Sequence, residues 1–245
     1  MKCYNYNPGY IFLLLMTNLA YAAIPIDGIY AGFMGTISSS SSSKYNIINP
    51  FTNIVTINSI DYLVGGGVGG QIGYRYCKFR LEGEVLYVQN VYSSARLGNR
   101  ELKKHLTPTN NYRQQGKTAV TAGFLNLYYE LYNEDDDPIV FPYIGIGMGY
   151  GQARNNFSIY TANNLISNLL FFKTHNNKST VALQLIAGLN YMATDALSFA
   201  IDYRYIATEN KSFTTKSLAL PLIKTSFQLN TLNLILNYSF DSDLF

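Results

Sequence analysis

Bulky apolar residues occupy every second position in several segments of this chain. The pattern is clearest in residues 197–205, where leucine, phenylalanine, isoleucine and tyrosine alternate with serine, alanine, aspartate and arginine. Residues 181–191 and 232–240 repeat it. Because a β-strand directs successive side chains to opposite faces, each segment has one apolar face and one polar or small face. The alternation therefore predicts β-strands that separate two different environments.

Further segments bring the predicted number of strands to eight. In residues 143–151 every second position from Gly145 on is glycine, which leaves room on one face where an interior is narrow. Four other segments have at least the roughly nine to eleven residues that a tilted strand needs to cross a membrane. They are residues 28–37, 64–76, 79–91 and 117–131. An even number of antiparallel strands can close into a barrel with both termini on one side.

The connections between these strands alternate in length. The short ones are residues 76–78, 133–138 and 193–196, and the long ones are residues 38–63, 92–116, 154–179 and 207–228. Outer-membrane barrels place short turns in the periplasm and long loops outside the cell. The second long connection is basic, and the turn at 133–138 is acidic. The prediction is therefore an all-β fold, an eight-stranded antiparallel transmembrane β-barrel with long extracellular loops and short periplasmic turns.

The first residues indicate export. Lys2 precedes an apolar stretch at residues 10–19, and residues 20–22 (Ala-Tyr-Ala) are typical of a signal-peptide cleavage site. We expect a signal peptide at residues 1–22 and an outer-membrane β-barrel domain at residues 23–245. Charged residues make up 13% of the chain, which is about half of their usual share in soluble proteins. This composition disfavours a helical bundle.

A soluble eight-stranded barrel that carries a small ligand, as lipocalins do, is the alternative fold. Such a barrel turns its bulky apolar face inward, and alternation alone does not give a direction. The long and short connections, the small or polar residues opposite bulky ones and the aromatic last strand favour the membrane barrel.

Charged residues lie on the polar faces of the predicted strands. If Phe79, Leu81, Val85 and Tyr87 face lipid, the residues between them face the barrel interior. The charged residues predicted to point inward are Arg75, Arg80, Glu82, Glu84, Asp202 and Arg204. An eight-stranded barrel is just wide enough to be filled by side chains, and buried charges persist only when they are paired. We predict an internal ion-pair network that plugs the barrel; the alternative is a narrow water-filled pore.

The predicted loops contain the candidate interaction residues. A basic cluster of Arg96, Arg100, Lys103 and Lys104 is suited to anionic host polymers or lipopolysaccharide phosphates, through contacts that weaken with salt. The alternative is that these are solvated loop charges. The third long loop contains an apolar run that includes Phe171 and Phe172, which marks a contact site or, alternatively, a strand extension above the membrane.

Sequence patterns give little support for enzymatic chemistry. His105 and His175 fall in different loops, and no zinc-ligand spacing, calcium loop or phosphate-binding loop is present in the sequence. We expect a protein that is not an enzyme, with no cofactor, no metal and no nucleic-acid partner.

Five runs of the chain resemble the opacity-type, major-surface-antigen family of eight-stranded outer-membrane proteins. They are RLEGEVLY at residues 80–87, LNLYYEL at 125–131, PYIGIGMGYG at 142–151, QLIAGLNYMATDALSFAIDYRY at 184–205 and LNLILNYSF at 232–240. The resemblance implies an outer-membrane surface antigen, often an adhesin toward host cells, embedded in outer-membrane lipid and lipopolysaccharide. It also implies an aromatic residue of the last strand that the barrel-assembly machinery recognises, and Phe240 and Phe245 are the candidates.

Overall fold

The fold is described by a computed structural model that covers residues 27–41, 43–48, 55–97, 100–103, 112–133, 139–161, 169–208, 211–213, 223–225 and 228–240. The predicted signal peptide lies outside these residues. The strands are β1 (Gly28–Ser40), β2 (Ser43–Ile48), β3 (Val55–Tyr62), β4 (Gly65–Tyr76), β5 (Phe79–Leu97), β6 (Arg100–Lys103), β7 (Tyr112–Glu130), β8 (Val140–Thr161), β9 (Leu169–Met192), β10 (Leu197–Thr208), β11 (Lys211–Phe213), β12 (Ile223–Thr225) and β13 (Gln228–Ser239). No helix in this part of the chain is long and apolar enough to span a membrane.

Eight of the strands form a closed ring. β1 pairs with β4 and with the last strand, β13, and β5 pairs with β4 and β7. The remaining neighbours are all antiparallel, so the order around the ring is β1, β4, β5, β7, β8, β9, β10, β13 and back to β1. This closure confirms the predicted eight-stranded antiparallel barrel. β5 and β10 are four strands apart in the ring and therefore face each other across the lumen.

The alternation of side chains has the direction expected for a membrane barrel. On β10, Phe199 and Ile201 are 47% and 43% exposed, whereas Asp202 and Arg204 are each 1% exposed. The other barrel strands repeat this arrangement, with large apolar side chains outside and mostly polar or small ones inside. A soluble ligand-carrying barrel has the opposite arrangement. The alternative fold is therefore wrong for this chain.

The glycines of β8 make space for large side chains in the lumen. A β-carbon at Gly145 would overlap the ring of Tyr128, and one at Gly149 would overlap the ring of Phe124. A β-carbon at Gly147 would overlap the side chains of Asn126 and Gln184. The prediction that glycines on one face accommodate a crowded interior is confirmed.

The barrel has a turn end, where the short connections lie, and a loop end, where the long ones lie. At the turn end, Cys77 adopts a left-handed φ of 49°, and its N–H donates to Asp27 Oδ1 at 2.9 Å. Residues 193–196 form a second tight turn, in which the Ala193 N–H donates to the Leu197 carbonyl at 2.9 Å. Most of the acidic turn, residues 134–138, lies outside the described residues.

The prediction that residues 38–63, 92–116, 154–179 and 207–228 are loops was wrong for large parts of them. β8 and β9 remain paired up to Thr161 and Leu169, and β5 and β7 also continue past their predicted ends. The hairpin of β2 and β3 joins the sheet through β5, and β11 pairs with β12. These extensions escaped prediction because beyond the lipid both strand faces meet water or loops, so apolar residues no longer alternate with polar ones.

Overpacking of the lumen is expected to destabilise the barrel. In Gly147→Val the new side chain must displace Asn126 or Gln184, so the free energy of unfolding should fall by about 1–3 kcal/mol. Gly35→Val is the matched control, since a β-carbon there has no neighbour within 4 Å. Urea unfolding in detergent, followed by heat-modifiable electrophoretic migration, measures both. Equal stability of the two variants would contradict the crowded interior.

Candidate functional site in the barrel lumen

Seven buried charged side chains lie in the described part of the lumen. Three are arginines and four are carboxylates, and none is more than 2% exposed. They are Arg75, Arg80, Glu82, Glu84, Glu130, Asp202 and Arg204. Charges in such a position must be paired and hydrogen-bonded to be tolerated. Their partners therefore determine how the lumen is organised.

Arg204 links two opposite sides of the barrel. Its Nη1 forms an ion pair with Glu84 Oε2 of β5, although Arg204 itself belongs to β10. Its Nη2 donates to Asp202 Oδ2 at 2.9 Å and its Nε donates to Asp202 Oδ1 at 3.0 Å. Tyr143 and Asn233 donate to the same carboxylate, at 3.0 Å and 2.6 Å. The contacts around the Arg204 guanidinium thus join four barrel strands, β5, β8, β10 and β13.

Glu82 is held by neutral donors. The hydroxyls of Tyr30 and Tyr128 donate to its two oxygens, each at 2.8 Å. Asn126 donates to both Glu82, at 3.3 Å, and Glu84, at 2.7 Å. Gln184 of β9 donates to Asn126 Oδ1 at 2.5 Å. The Glu82 group is therefore continuous with the Arg204 group through Asn126 and Glu84.

A third cluster lies nearer the turn end. Glu130 of β7 forms ion pairs with Arg75 at 3.1 Å and with Arg80 at 2.9 Å. The Arg80 guanidinium also lies 4.6 Å from the ring centroid of Tyr128 and 4.9 Å from that of Tyr143. Aromatic faces attract a desolvated cation. The charge of Arg80 is thus balanced by one carboxylate and by tyrosine rings.

An apolar layer lies between this network and the loop end. Along β5 the inward residues change from Glu84 to Leu86 and Val88, all of them buried. Phe124 and Ile206 belong to the same apolar cluster. A cavity of about 40 Å³ remains at this level, lined mainly by apolar side chains. This volume holds only a few water molecules, so the layer is a poor path for hydrated ions.

A polar layer lies at the loop end of the described lumen. The Tyr92 hydroxyl lies 2.9 Å from Thr118 Oγ1, and that threonine donates to Asn155 Oδ1 at 2.7 Å. Ser38 donates to Asn90 Oδ1 at 3.1 Å. The lumen is therefore filled by a charged layer, an apolar layer and a neutral polar layer in succession.

The structure places all six predicted lumen residues inside the barrel and brings them into contact with one another or with shared neighbours. Sequence reasoning missed Glu130, Asn126 and the tyrosines that complete their coordination. The signal was present, because Asn126, Tyr128 and Glu130 alternate with Leu125, Leu127 and Tyr129 in the manner used for the other strands. Applying the same rule to β7 would have found them.

The predicted loop residues lie on strands or outside the described residues. Arg96 is on β5, and its backbone pairs with Glu101 of β6. Arg100 and Lys103 are on β6, whereas Lys104 lies outside the described part of the chain. The expectation that Arg96, Arg100 and Lys103 occupy a loop was wrong, because the paired backbone of β5 and β6 extends to them.

The two predicted loop phenylalanines are also on a strand. Phe171 and Phe172 belong to β9, and Phe172 pairs with Ile159 of β8. The described part of their apolar run, residues 169–172, is therefore the strand extension that the sequence left open as an alternative.

Of the two candidate assembly signals, Phe240 directly follows the last strand. Its N–H donates to the Ile29 carbonyl at 2.8 Å, and its ring packs against Tyr238 with centroids 5.4 Å apart. Phe245 lies outside the described residues.

A closed antiparallel barrel with an apolar exterior and a filled polar interior defines the class of small outer-membrane barrels. The sequence profile of the outer membrane protein beta-barrel domain matches residues 10–240. The chain belongs to this family, and the family is one of the outer membrane. A comparison with curated protein sequences gives no match.

Solved structures of outer-membrane barrels are similar to the chain. The outer-membrane protein OprG of Pseudomonas aeruginosa is 15% identical, with a TM-score of 0.56 over 90% of this chain and 99% of OprG. Neisserial surface protein A is 13% identical, with a TM-score of 0.48 over 87% and 97%. Ail, the attachment invasion locus protein of Yersinia pestis, is 13% identical, with a TM-score of 0.42 over 88% and 100%. At such identity the similarity to OprG concerns the fold alone.

Removal of the central guanidinium should damage folding. Arg204→Met leaves Glu84 and Asp202 buried without their cation, so the free energy of unfolding should fall by about 3–5 kcal/mol. Arg154→Met is the control, because Arg154 is exposed and surface substitutions usually change stability by less than about 0.5 kcal/mol. Urea unfolding in detergent compares them. Unchanged stability of Arg204→Met would contradict a structural plug. A large new conductance in that stable protein would instead indicate that Arg204 gates a pore.

Proposed function

We propose that this outer-membrane protein is a surface antigen whose loop end interacts with host molecules, with adhesion as the concrete mechanism. The observation that carries the proposal is the ion pair between Arg204 and Glu84, which joins opposite strands across a lumen that buried side chains occupy. A filled lumen leaves little room for transport. The surface available for interaction is then the part of the protein that projects beyond the lipid.

The strand lengths support such a projection. β8 has 22 residues and β9 has 24, whereas a membrane-spanning strand needs roughly 9 to 11. Both strands extend at the loop end, and β5 and β7, with 19 residues each, do the same. Because long connections of such barrels lie outside the cell, the extended strands would hold the loops well above the membrane surface.

The basic cluster is the proposed contact for an anionic host polymer. Arg96, Arg100 and Lys103 lie on two paired strands, with Glu101 as the single acidic residue among them, and Lys104 follows directly. A basic segment of this kind attracts sulfated polysaccharides from a distance, and salt screens the attraction.

The remaining proposed partners follow from the membrane location. Outer-membrane lipid would surround the apolar exterior, and the barrel-assembly machinery would recognise Phe240 or Phe245. We propose that the protein is not an enzyme and that it uses no cofactor and binds no nucleic acid. In the described residues His175 is hydrogen-bonded to Asn156, and no group of three potential metal ligands is present.

The second candidate is a structural or weakly pore-forming membrane protein without a dedicated ligand. It is favoured by the interior itself, since polar side chains line most of the lumen and a rearrangement of them would admit water. The two candidates differ in whether substitutions at the loop end change an interaction of intact cells.

The topology can be tested by protease treatment of intact cells. Trypsin is expected to cleave within residues 96–104, because this basic segment lies at the end assigned to the outside. Lys78, in a turn at the opposite end, should remain uncut until the outer membrane is permeabilised. Cleavage at Lys78 on intact cells, with protection of residues 96–104, would reverse the proposed orientation.

The interaction can be tested by charge removal. The variant Arg96→Gln/Arg100→Gln/Lys103→Gln/Lys104→Gln should reduce adhesion of expressing cells to host cells and to heparin surfaces several-fold at low salt, because the long-range attraction is lost. Lys78→Gln is the control, with its charge at the other end of the barrel. Unchanged, salt-insensitive adhesion of the quadruple variant would exclude this cluster as the adhesive site.

A further inference from the structure

A basic surface lies on the outer wall of the barrel, apart from the cluster at residues 96–104. It is formed by β7, β8 and β9 where they leave the lipid-facing band. Its exposed members are Lys117, Arg154, Lys173 and His175. We call these four residues the wall patch.

Strand periodicity places the wall patch on the outside of the barrel. Lys117 has the same parity as the exposed Leu125 on β7, and Arg154 has the same parity as the exposed Met148 on β8. Lys173 and His175 likewise share the parity of the exposed Leu183 on β9. These side chains therefore point sideways from the barrel, in the direction of the lipid, and not into the lumen.

The strand register brings the members together. Lys117 pairs with Asn156, which pairs with His175, so these residues form one row across three strands. Arg154 lies two residues from this row on the side of the membrane. Lys173 lies two residues from the row on the opposite side, farther from the membrane. Neighbouring strands are about 4.8 Å apart and alternate residues about 7 Å apart. The patch is therefore of the size of a lipid headgroup.

The membrane-side edge of the patch, at Arg154, lies nearest to the headgroup region. Tyr150, 62% exposed, and its partner Val181, 49% exposed, are the exposed large apolar residues nearest to Arg154 on the membrane side of the patch. Arg154 follows Tyr150 by four residues, which is roughly 13 Å along the strand and about 10 Å in height at a tilt near 40°. Long basic side chains can reach back toward the boundary.

The patch lacks internal neutralisation. Residues 112–121, 150–161 and 169–181 contain five Lys or Arg residues and no Asp or Glu. Lys117 Nζ donates to Gln89 Oε1 at 3.1 Å, and Arg154 Nη2 donates to Gln152 Oε1 at 3.0 Å. Both acceptors are neutral, so the positive charge remains available to an anion.

We infer that the wall patch binds the phosphate groups of an anionic lipid in the outer leaflet of the membrane. A lipid fits better than a soluble polymer, because the patch is continuous with the apolar band on the same faces of the same strands. Acyl chains would lie against Met148 and Leu183 while the phosphates meet Lys117 and Arg154. This site rests on the proposed orientation, with the loop end outside the cell, but not on adhesion.

The test compares two variants with equal charge change. Lys117→Gln/Arg154→Gln/Lys173→Gln alters the wall patch, and Arg96→Gln/Arg100→Gln/Lys103→Gln alters the strand-end cluster. Each full-length protein is placed in phosphatidylcholine nanodiscs that contain a small fraction of bisphosphorylated lipid A or its dephosphorylated form. Native mass spectrometry then measures the bound lipid A.

We expect the wall variant to lose about tenfold or more in affinity for phosphorylated lipid A, because each basic residue near an anionic surface contributes roughly fivefold. The strand-end variant should keep its affinity, and dephosphorylated lipid A should bind weakly to all proteins. Equal binding by the wall variant and wild type, or equal binding of both lipid forms, would overturn the inference. So would displacement of the lipid by inorganic phosphate at low concentration, which would indicate a site for the free ion.

Heat-modifiable migration verifies that each variant is folded. If the triple variant does not fold, Arg154→Gln alone should weaken binding several-fold, with Arg96→Gln as its control. Wild-type binding should also weaken steadily as salt rises, and salt-independent binding would contradict a phosphate contact.

Discussion

The ion pair between Arg204 and Glu84 spans the barrel, and the rest of the interior is arranged around it. A guanidinium in such a position must be paired and fully hydrogen-bonded. Asp202 supplies the second carboxylate, and Tyr143 and Asn233 hold that carboxylate from two further strands. Each charged group is thus fixed by strands other than its own. The side-chain network therefore links strands across the lumen, in addition to the backbone hydrogen bonds that link neighbouring strands around the ring.

The residues that stabilise the barrel from inside are different from those proposed to contact other molecules. The charged layer, the apolar layer around Leu86 and Ile206, and the polar layer around Tyr92 all lie inside the closed ring. The strand extensions and the outer wall contribute no residue to the charged network, so substitutions there are expected to leave it intact. The same barrel can therefore carry different surface residues. We propose that an anionic lipid binds the wall patch, and that residues 96–104 at the loop end contact host molecules.

The sequence was sufficient for the eight barrel strands and for six of the seven buried charges in the described lumen, because period-2 alternation gives the face of each residue. Asp202 and Arg204 were found by that rule, and Glu130 was missed only because the rule was not applied to its strand. Alternation gives no height along the barrel, so it could not reveal that Leu86 and Ile206 form an apolar layer. It also ends where lipid ends, which is why the strand extension around Arg154 was predicted as a loop.

Single-channel recording of the wild-type protein in planar lipid bilayers tests the central claim of a filled lumen most directly. The inserted protein must first be shown to be folded by its heat-modifiable migration. The account predicts a membrane current no greater than that of the bare bilayer, since hydrated ions would have to cross both the Arg204 network and the apolar layer. Regular conductance steps that scale with the salt conductivity would show an open, water-filled lumen and contradict it.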